Sequence, residues 1–316
     1  MSARTGSVKL HDDDVTAIPL RRPGRAVSAV LVVLVAGLLA WSFFTNPNLD
    51  WMVVGQYLFD SRVISGIGVT LVMTVLSMLI STVIAIVIAG MRLSGNPVLV
   101  SVAWVYVWGF RGTPMMVQII FWGYLASLYP MIGIPGTPLY WDTNQLIPLF
   151  VAGLLALTLN QGAYSSEIVR AGMLSVDEGQ REAAFSLGMS PLYTFRRVLL
   201  PQAMRVIIPP MGNELISMLK NTSLLFVIAI VELYTATSMI SSQNFKRVEL
   251  LIVASLWYLL MTSLLSIPQY YLERRFGRGA SRNLPPTPLQ RVRSFIQSRK
   301  PVPAPQPTEA IKVVEQ

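Results

Sequence analysis

The chain of 316 residues contains no cysteine and a single histidine, His11. The absence of cysteine excludes disulfides, thiolate metal sites and cysteine nucleophiles, and one imidazole cannot form a histidine metal cluster. Charged side chains are scarce as well: they make up 13% of the residues, against 53% that are hydrophobic. Soluble domains have about a quarter of their residues charged. The sequence therefore predicts an integral membrane protein with no metal site.

The net charge of +9 is concentrated at the two ends of the chain. Residues 1–25 carry +2 and residues 273–316 carry +6, so the middle is nearly neutral. Basic residues that flank apolar runs mark the cytoplasmic side of a membrane. We predict a cytoplasmic N-terminal tail over 1–25 and a basic, proline-rich cytoplasmic tail over 273–316. The C-terminal tail lacks interleaved aromatics and a recognisable fold, so no nucleic acid partner is predicted.

Long apolar runs predict the membrane spans. The run 26–44 follows Arg21, Arg22 and Arg25, and we interpret it as a retained extra transmembrane helix because no clear small-residue cleavage site follows it. The remaining spans lie within 62–272, and all six predicted spans are 26–44, 63–91, 98–129, 146–165, 206–236 and 250–272. Six crossings place both termini in the cytoplasm.

Two proline-containing stretches interrupt these runs. Residues 111–114, Arg-Gly-Thr-Pro, lie inside the third span, and Pro209 and Pro210 lie near the start of the fifth. Proline removes a backbone donor and disfavours helix in the residue before it. We expect a helix break at both places, and such backbone must be buried in protein or face water.

Residues 170–205 form a polar loop between two apolar spans. Asp177 is expected to cap a short helix that Gly188 ends, and Pro191 to open a second helix that Pro201 closes. A loop of this kind suits the docking of a water-soluble partner. The alternative is an amphipathic hairpin that lies on the membrane surface.

Within this loop, six residues resemble the coupling loop of binding-protein-dependent ABC transporter permeases, which docks into a groove of the ATPase subunit. They are Glu182, Ala183, Ala184, Gly188, Leu200 and Pro201. Three further blocks resemble the permeases that take up polar amino acids such as histidine, glutamate, glutamine, arginine and opines. These blocks are residues 110–118, 164–170 and 220–224, and the resemblance extends from about residue 66 to 279.

The resemblance implies an all-α membrane protein with the five-helix core of a type I, methionine-permease-like ABC importer, to which the extra N-terminal helix is added. It also implies a bacterial inner-membrane location and three partners: a dimer of ABC ATPase subunits, a second permease subunit of the same or a homologous sequence, and an extracytoplasmic amino acid binding protein. The chain has no Walker A sequence, so ATP is expected on the ATPase. We predict no cofactor and no enzymatic activity for the chain itself.

Polar side chains in or beside the spans are candidates for the substrate pathway, because such groups are costly in lipid without a partner or a function. They are Arg111, Thr113, Gln118, Asn160, Glu167 and Glu214. Structural alternatives exist for each: Arg111 in an ion pair or carbonyl cap at the break, Glu167 paired with Arg170, and the neutral groups as contacts between helices. Lys220 is predicted to be a structural link between the coupling loop and the pore.

These observations predict a permease subunit that moves polar amino acids or opine-like derivatives into the cytoplasm by alternating access, driven by a separate ATPase. One alternative is a secondary transporter or channel driven by an ion gradient, which leaves the coupling loop unexplained. Another is a membrane scaffold or sensor, which leaves the intramembrane arginine and glutamate residues unexplained. The sequence leaves open which amino acid is transported.

Overall fold

The computed structural model describes residues 23–276, and helices dominate that range. Its thirteen α-helices are α1 (Pro23–Phe44), α2 (Trp51–Leu58), α3 (Ser61–Arg92), α4 (Pro97–Gly112), α5 (Met115–Gly123), α6 (Leu125–Leu128), α7 (Thr143–Leu146), α8 (Leu149–Leu174), α9 (Glu178–Ser186), α10 (Pro191–Thr194), α11 (Leu200–Asn221), α12 (Leu233–Asn244) and α13 (Arg247–Phe276). A π turn, Phe195–Leu199, and a 3₁₀ segment, Thr222–Ile228, precede and follow α11. Strands β1 (Met131–Gly133) and β2 (Tyr140–Asp142) form a short antiparallel hairpin. The predicted all-α class is confirmed, with this hairpin as a small exception.

Contacts divide the chain into two compact units, Met1–Val53 and Val54–Gln316. The first unit contains α1, whose 22 residues include the run 26–44 that predicts an extra span. A helix of this length extends about 33 Å, enough for the roughly 30 Å hydrocarbon core of a bilayer. The predicted tails 1–25 and 273–316 lie almost entirely outside the described residues.

In the second unit, the long helix α3 buries small polar side chains and exposes large apolar ones. The buried set recurs at helical spacing and comprises Thr70, Thr74, Ser77 and Ser81. The exposed set comprises Val72, Val75, Leu79, Val83 and Ile86. Small residues allow close helix packing where lipid removes the hydrophobic drive for association. The pattern is therefore the one expected of a helix with an apolar face toward lipid.

The core of the second unit lies where α3, α5, α8, α11 and the 3₁₀ segment meet. Its buried members are Met73, Met78, Ile119, Ala156, Leu157, Met218, Leu225, Ile228 and Ile230. Helix α3 packs along α8, and α11 packs on both α8 and α13. This arrangement brings α5, α8 and α11 together around the candidate site.

Three of the described helices, α1, α3 and α13, are long and apolar enough to cross a membrane. A fourth crossing results if Pro191–Ile228 and α12, which are bent by 46° relative to each other, form one broken span. Helix α8 also has the length to cross but carries polar residues in its middle, and α4 and α5 form an interrupted pair. These segments match the six predicted spans in order, and the six-span count stays a prediction.

The helix predicted to close at Pro201 continues instead. Pro191 opens α10 as predicted, but the π turn Phe195–Leu199 joins α10 directly to α11. In this turn the N–H of Leu200 bonds to the carbonyl of Phe195, five residues back. A π turn is wider than an α turn. It makes room for the ring of Pro201, which in a regular α-helix would clash with the preceding turn.

The break predicted at Pro209 and Pro210 is also absent, because α11 runs through both residues. Each proline removes one backbone donor and penalises a helix interior by about 3 kcal/mol. Helix α13 contributes a contact at this point: Nε2 of the buried Gln269 donates to the carbonyl of Pro209 at 2.8 Å. The packing of α11 against α8 and α13 outweighs the local preference of the two prolines.

Glu232 is a fully buried carboxylate that caps α12, and the sequence analysis missed it. Its oxygens accept hydrogen bonds from the N–H groups of Tyr234 at 3.0 Å and Thr235 at 2.7 Å, and from the hydroxyls of Thr235 at 2.9 Å and Tyr258 at 2.7 Å. These bonds replace the hydration that burial removes. A single acidic residue within an apolar run was the signal for it.

Helix α3 meets the backbone at the start of α12 at Gly66. A β-carbon at Gly66 would lie 3.0 Å from the carbonyl carbon and oxygen of Glu232 and from the Cα atom of Leu233. Two residues along the same helix, a β-carbon at Gly68 would have no atom within 4 Å. Only the first glycine is therefore required by packing.

We expect Gly66→Ala to destabilise the folded protein by about 1–3 kcal/mol, because backbone and not a flexible side chain must move. Gly68→Ala is the matched control, and it should be neutral or stabilising by up to about 1 kcal/mol, since alanine favours helix over glycine. The measurement is the thermal unfolding midpoint of each purified variant in detergent. Equal midpoints for the two variants would contradict the close approach at Gly66.

Candidate functional site

The six candidate pathway residues converge on one side of the second unit. Between the α4–α5 junction, α8 and α11 lies a cavity of about 540 Å³, called here the break cavity. Its polar lining comprises Arg111, Thr113, Asn160, Gln161, Tyr164, Glu214 and Asn221. Two adjoining cavities of about 420 and 390 Å³ share Arg111 and Tyr164 with it and add Glu167. Gln118 is buried beside Asn160.

The helix is broken at the α4–α5 junction, and side-chain amides bind the carbonyl that the break leaves free. Thr113 is extended, with φ −116° and ψ 144°, as expected before Pro114. Pro114 has no N–H, so it cannot bond to the carbonyl of Phe110, its normal partner four residues back. Nε2 of Gln118 and Nδ2 of Asn160 donate to that carbonyl instead, at 2.9 and 3.0 Å. The break predicted at residues 111–114 is confirmed.

The same two amides bind each other and the threonine of the break. Nδ2 of Asn160 donates to Oε1 of Gln118 at 3.1 Å, and Nε2 of Gln118 donates to the hydroxyl oxygen of Thr113 at 2.7 Å. The Thr113 hydroxyl donates in turn to the carbonyl of Gly109 at 2.8 Å. Thr113, Gln118 and Asn160 thus connect α4, α5 and α8. Contacts between helices were the alternative to a pathway role for these three residues, and the structure shows such contacts.

Glu167 lies in an ion-pair cluster beside the break cavity. Its Oε2 atom lies 2.8 Å from Nη2 of Arg170, the i,i+3 pair expected from the sequence, and its Oε1 atom lies 3.6 Å from Nη1 of Arg92. Arg92 ends α3, so the cluster ties the end of that helix to α8. Arg92 is not among the residues predicted from the sequence.

Arg111 and Glu214 have no charged partner of opposite sign within 4 Å among residues 23–276. The guanidinium of Arg111 stacks over the ring of Tyr164, with Cζ 5.0 Å from the ring centroid. The Oε2 atom of Glu214 accepts a hydrogen bond from Nε2 of Gln161 at 2.8 Å. Both charges line the break cavity, yet they are not paired with each other. The ion pair considered for Arg111 is therefore not present within the described range.

Gln161 and Tyr164 line the break cavity but are not among the candidate pathway residues predicted from the sequence. Gln161 follows Asn160 within an apolar run, and it is buried with its amide on Glu214. Two adjacent polar residues in a predicted span were the available signal. Tyr164 was noted only as part of a family motif, and the structure adds its contact with Arg111.

The segment resembling a coupling loop has the predicted capped helix. Oδ1 of Asp177 accepts from the N–H of Gly179 at 2.7 Å at the start of α9, and Gly188 follows the helix with φ +74°. Ala184 is buried, whereas Glu182 and Ala183 are exposed.

The two remaining residues of the segment face different surroundings. Leu200 lines an apolar cavity of about 840 Å³ between α3, α8 and α11, and Pro201 is exposed. Lys220 is exposed at the other end of α11, about 30 Å from Leu200 along the helix. Any link from Lys220 to the coupling segment therefore runs through α11 itself.

A family model described as "Binding-protein-dependent transport system inner membrane component" matches residues 81–278. The arginine transport system permease protein ArgU of Corynebacterium glutamicum is 46% identical over 284 residues, which cover 88% of each chain. The nopaline transport system permease protein NocM of Agrobacterium fabrum is 38% identical and covers 65% of this chain and 83% of its own. The glutamine transport system permease protein GlnP of Escherichia coli is 35% identical, and the alignment covers 72% of this chain and 97% of GlnP.

Two solved structures support the fold. A crystal structure of an amino acid ABC transporter with histidines aligns with a TM-score of 0.62 at 34% identity, covering 72% of this chain and 99% of the other. An inward-facing MetNI methionine ABC transporter aligns with a TM-score of 0.54 at 17% identity, covering 68% of this chain and 96% of the other. At this identity the similarity supports the fold alone. The predicted importer-type permease core is confirmed. With a family match over most of the bundle and relatives aligned across nearly their whole length, the chain belongs to the inner membrane components of binding-protein-dependent transport systems, the permease subunits of ABC importers.

Proposed function

We propose that this permease carries zwitterionic polar amino acids through the break cavity, with Arg111 facing the substrate carboxylate and Glu214 facing its ammonium group. The observation that supports the proposal is a pair of unmatched charges of opposite sign, one on α4 and one on α11, that line the same cavity. An ionised group at membrane depth costs several kcal/mol unless it is paired. A ligand with one charge of each sign satisfies both groups at once, whereas an uncharged or singly charged solute satisfies at most one.

The relatives support the substrate class. Their names specify arginine, nopaline and glutamine transport, and each of these molecules carries an α-carboxylate and an amine. The size of the break cavity, about 540 Å³, is within the usual range of small-molecule sites. Thr113, Gln118 and Asn160 then hold the wall in place, and Gln161 and Tyr164 orient the two charges. Glu167 is neutralised by its two arginines and contributes less to recognition.

The assembly that we propose contains two permease subunits, two ATPase subunits on the cytoplasmic side and an extracytoplasmic binding protein, in a bacterial inner membrane with both termini of this chain in the cytoplasm. ABC importer permeases in general function with an ATPase and a binding protein. The chain itself performs no chemistry and holds no cofactor in this scheme, because ATP is bound by the partner. A transporter driven by an ion gradient is disfavoured by the family to which the chain belongs.

We further propose that α9 and α10 form the ATPase contact. Besides the exposed Glu182 and Ala183, this segment exposes large apolar side chains: Leu187 is 81% exposed, Leu192 67% and Tyr193 53%. Apolar residues that cluster on a polar, charged segment are typical of a protein interface. Helix α11 continues from this segment to Glu214, so a movement of the segment is transmitted to the break cavity along one helix.

The substrate contacts are tested by Arg111→Gln and Glu214→Gln in the complete transporter. Each variant should lower uptake of radiolabelled L-arginine or L-glutamine by about tenfold to a hundredfold, since a hydrogen bond to a charged group contributes about 1.5–3 kcal/mol. Thermal stability should stay unchanged or rise, because each variant removes an unpaired charge. The control is Arg62→Gln, which removes an exposed arginine paired with Asp60. A fall in stability with normal uptake would assign the two charges to structure alone.

The ATPase contact is tested by Gly188→Arg. A β-carbon at Gly188 meets no atom within 4 Å, so the permease should still fold and insert. The left-handed backbone adds about 1 kcal/mol of strain, and a charge buried at the interface without a partner adds several more. We expect normal membrane abundance with loss of uptake and of stimulated ATP hydrolysis. Gly188→Ala carries the same backbone strain without the charge and should retain most uptake. Normal copurification of the ATPase and normal uptake with Gly188→Arg would refute the contact.

A further inference from the structure

A second polar cavity, separate from the break cavity, lies between the 3₁₀ segment, α12 and the first turns of α13. Its volume is about 430 Å³, and we call it the serine cavity. The polar residues that line it are Tyr234, Thr237, Ser238, Ser241, Ser242 and Arg247. Neither the family motifs nor the proposed pathway includes any of them. The sequence predicts this end of α12 and α13 to be external.

Three of the hydroxyls that line the serine cavity donate their protons to backbone carbonyls of α12. The hydroxyl of Thr237 donates to the carbonyl of Tyr234 at 2.9 Å, that of Ser241 to Ser238 at 2.8 Å, and that of Ser242 to Met239 at 2.7 Å. Each proton is used within α12, which leaves the oxygen lone pairs for a ligand. A row of oxygen acceptors suits an ammonium group.

Arg247 gives the same cavity a positive charge. It is exposed at the start of α13, and no carboxylate of the described residues lies within 4 Å of its guanidinium. The neighbouring Lys246 lies 3.9 Å from the carboxylate of Glu249 and is paired with it. Arg247 does not take part in that ion pair. A guanidinium presents several donors in a planar fork that matches a carboxylate.

We propose that the serine cavity is an external reception site for the amino acid, with its carboxylate on Arg247 and its ammonium group on the hydroxyl oxygens of Thr237, Ser241 and Ser242. The proposal rests on the proposed function, since it assumes an amino acid substrate, and it adds a site on the route before the break cavity. Acceptors and a guanidinium in one cavity match the two charges of a zwitterion. An acidic side chain of a binding protein would use only Arg247 and would leave the row of acceptors unused.

The test uses the absence of cysteine from this chain. Ser238→Cys introduces one thiol in the serine cavity at a lining position that is not one of the proposed acceptors, and the rate of its reaction with a membrane-impermeant maleimide is measured on the permease band of the complete transporter in proteoliposomes. We expect 20 mM L-arginine to slow the reaction at least threefold. Agmatine, which lacks the carboxylate, should not slow it. Adding Arg247→Gln should remove the protection by L-arginine, whereas Arg247→Lys should retain part of it.

The control is Gln243→Cys, at an exposed position outside the cavity lining, whose labelling L-arginine should leave unchanged. The proposal is overturned if L-arginine gives no protection, if agmatine protects equally, or if protection survives Arg247→Gln. Protection by the binding protein without any amino acid would assign the cavity to protein docking and would also overturn it. Labelling requires neither ATP nor transport. A failure here with the expected effects of Arg111→Gln and Glu214→Gln therefore leaves the proposed function intact.

Discussion

The backbone carbonyl of Phe110 requires a hydrogen-bond donor, and the groups that donate to it fix the arrangement of α4, α5 and α8 around the break cavity. Pro114 cannot supply one, and at membrane depth water does not replace it. Gln118 of α5 and Asn160 of α8 both donate to this oxygen, and Asn160 also donates to Gln118. The broken helix is thereby fixed to α8. Arg111 is held in the last turn of α4 at the edge of the cavity for the same reason.

The charged groups of the described bundle divide into satisfied and unsatisfied ones. Glu232 accepts hydrogen bonds from backbone amides and hydroxyls, and Glu167 lies between two arginines. These carboxylates stabilise the packing of helices. Among residues 23–276, no group of opposite charge lies within 4 Å of Arg111, Glu214 or Arg247, although Glu214 accepts a hydrogen bond from Gln161, and each of the three lines a cavity. We assign these three groups to the charged ends of an amino acid in the proposals above.

Helix α11 connects the two regions to which we assign the ATPase contact and the substrate. It begins beside the coupling segment at Leu200 and passes Glu214 in the break cavity about 21 Å further along. Had it broken at Pro209 and Pro210, as the sequence predicts, a displacement at one end could be absorbed at the break. An uninterrupted helix that packs on α8 and α13 transmits it instead.

Composition and local pattern determined the class of the protein and many of its helices. Scarce charge and long apolar runs required a membrane location, Pro114 required the break after Gly112, and Asp177 and Gly188 defined the ends of α9. The family motifs predict the coupling segment, and their residues Arg111, Tyr164 and Asn221 line the break cavity. These features depend on a residue and its near neighbours, which a sequence displays directly.

Tertiary structure decided the features that depend on distant partners. The prolines of α11 predict breaks, but that helix packs against α8 and α13 and stays continuous, and the π turn accommodates Pro201 without ending the helix. Whether a polar side chain is paired depends likewise on which residue lies opposite it: Glu167 pairs with Arg92 of α3, whereas Arg111 stacks on the ring of Tyr164 and has no carboxylate within 4 Å in the described part of the chain. The sequence by itself determined which charges enter the bundle. Only the fold decided which of them remain unpaired, because pairing depends on a few ångströms between residues far apart in the chain.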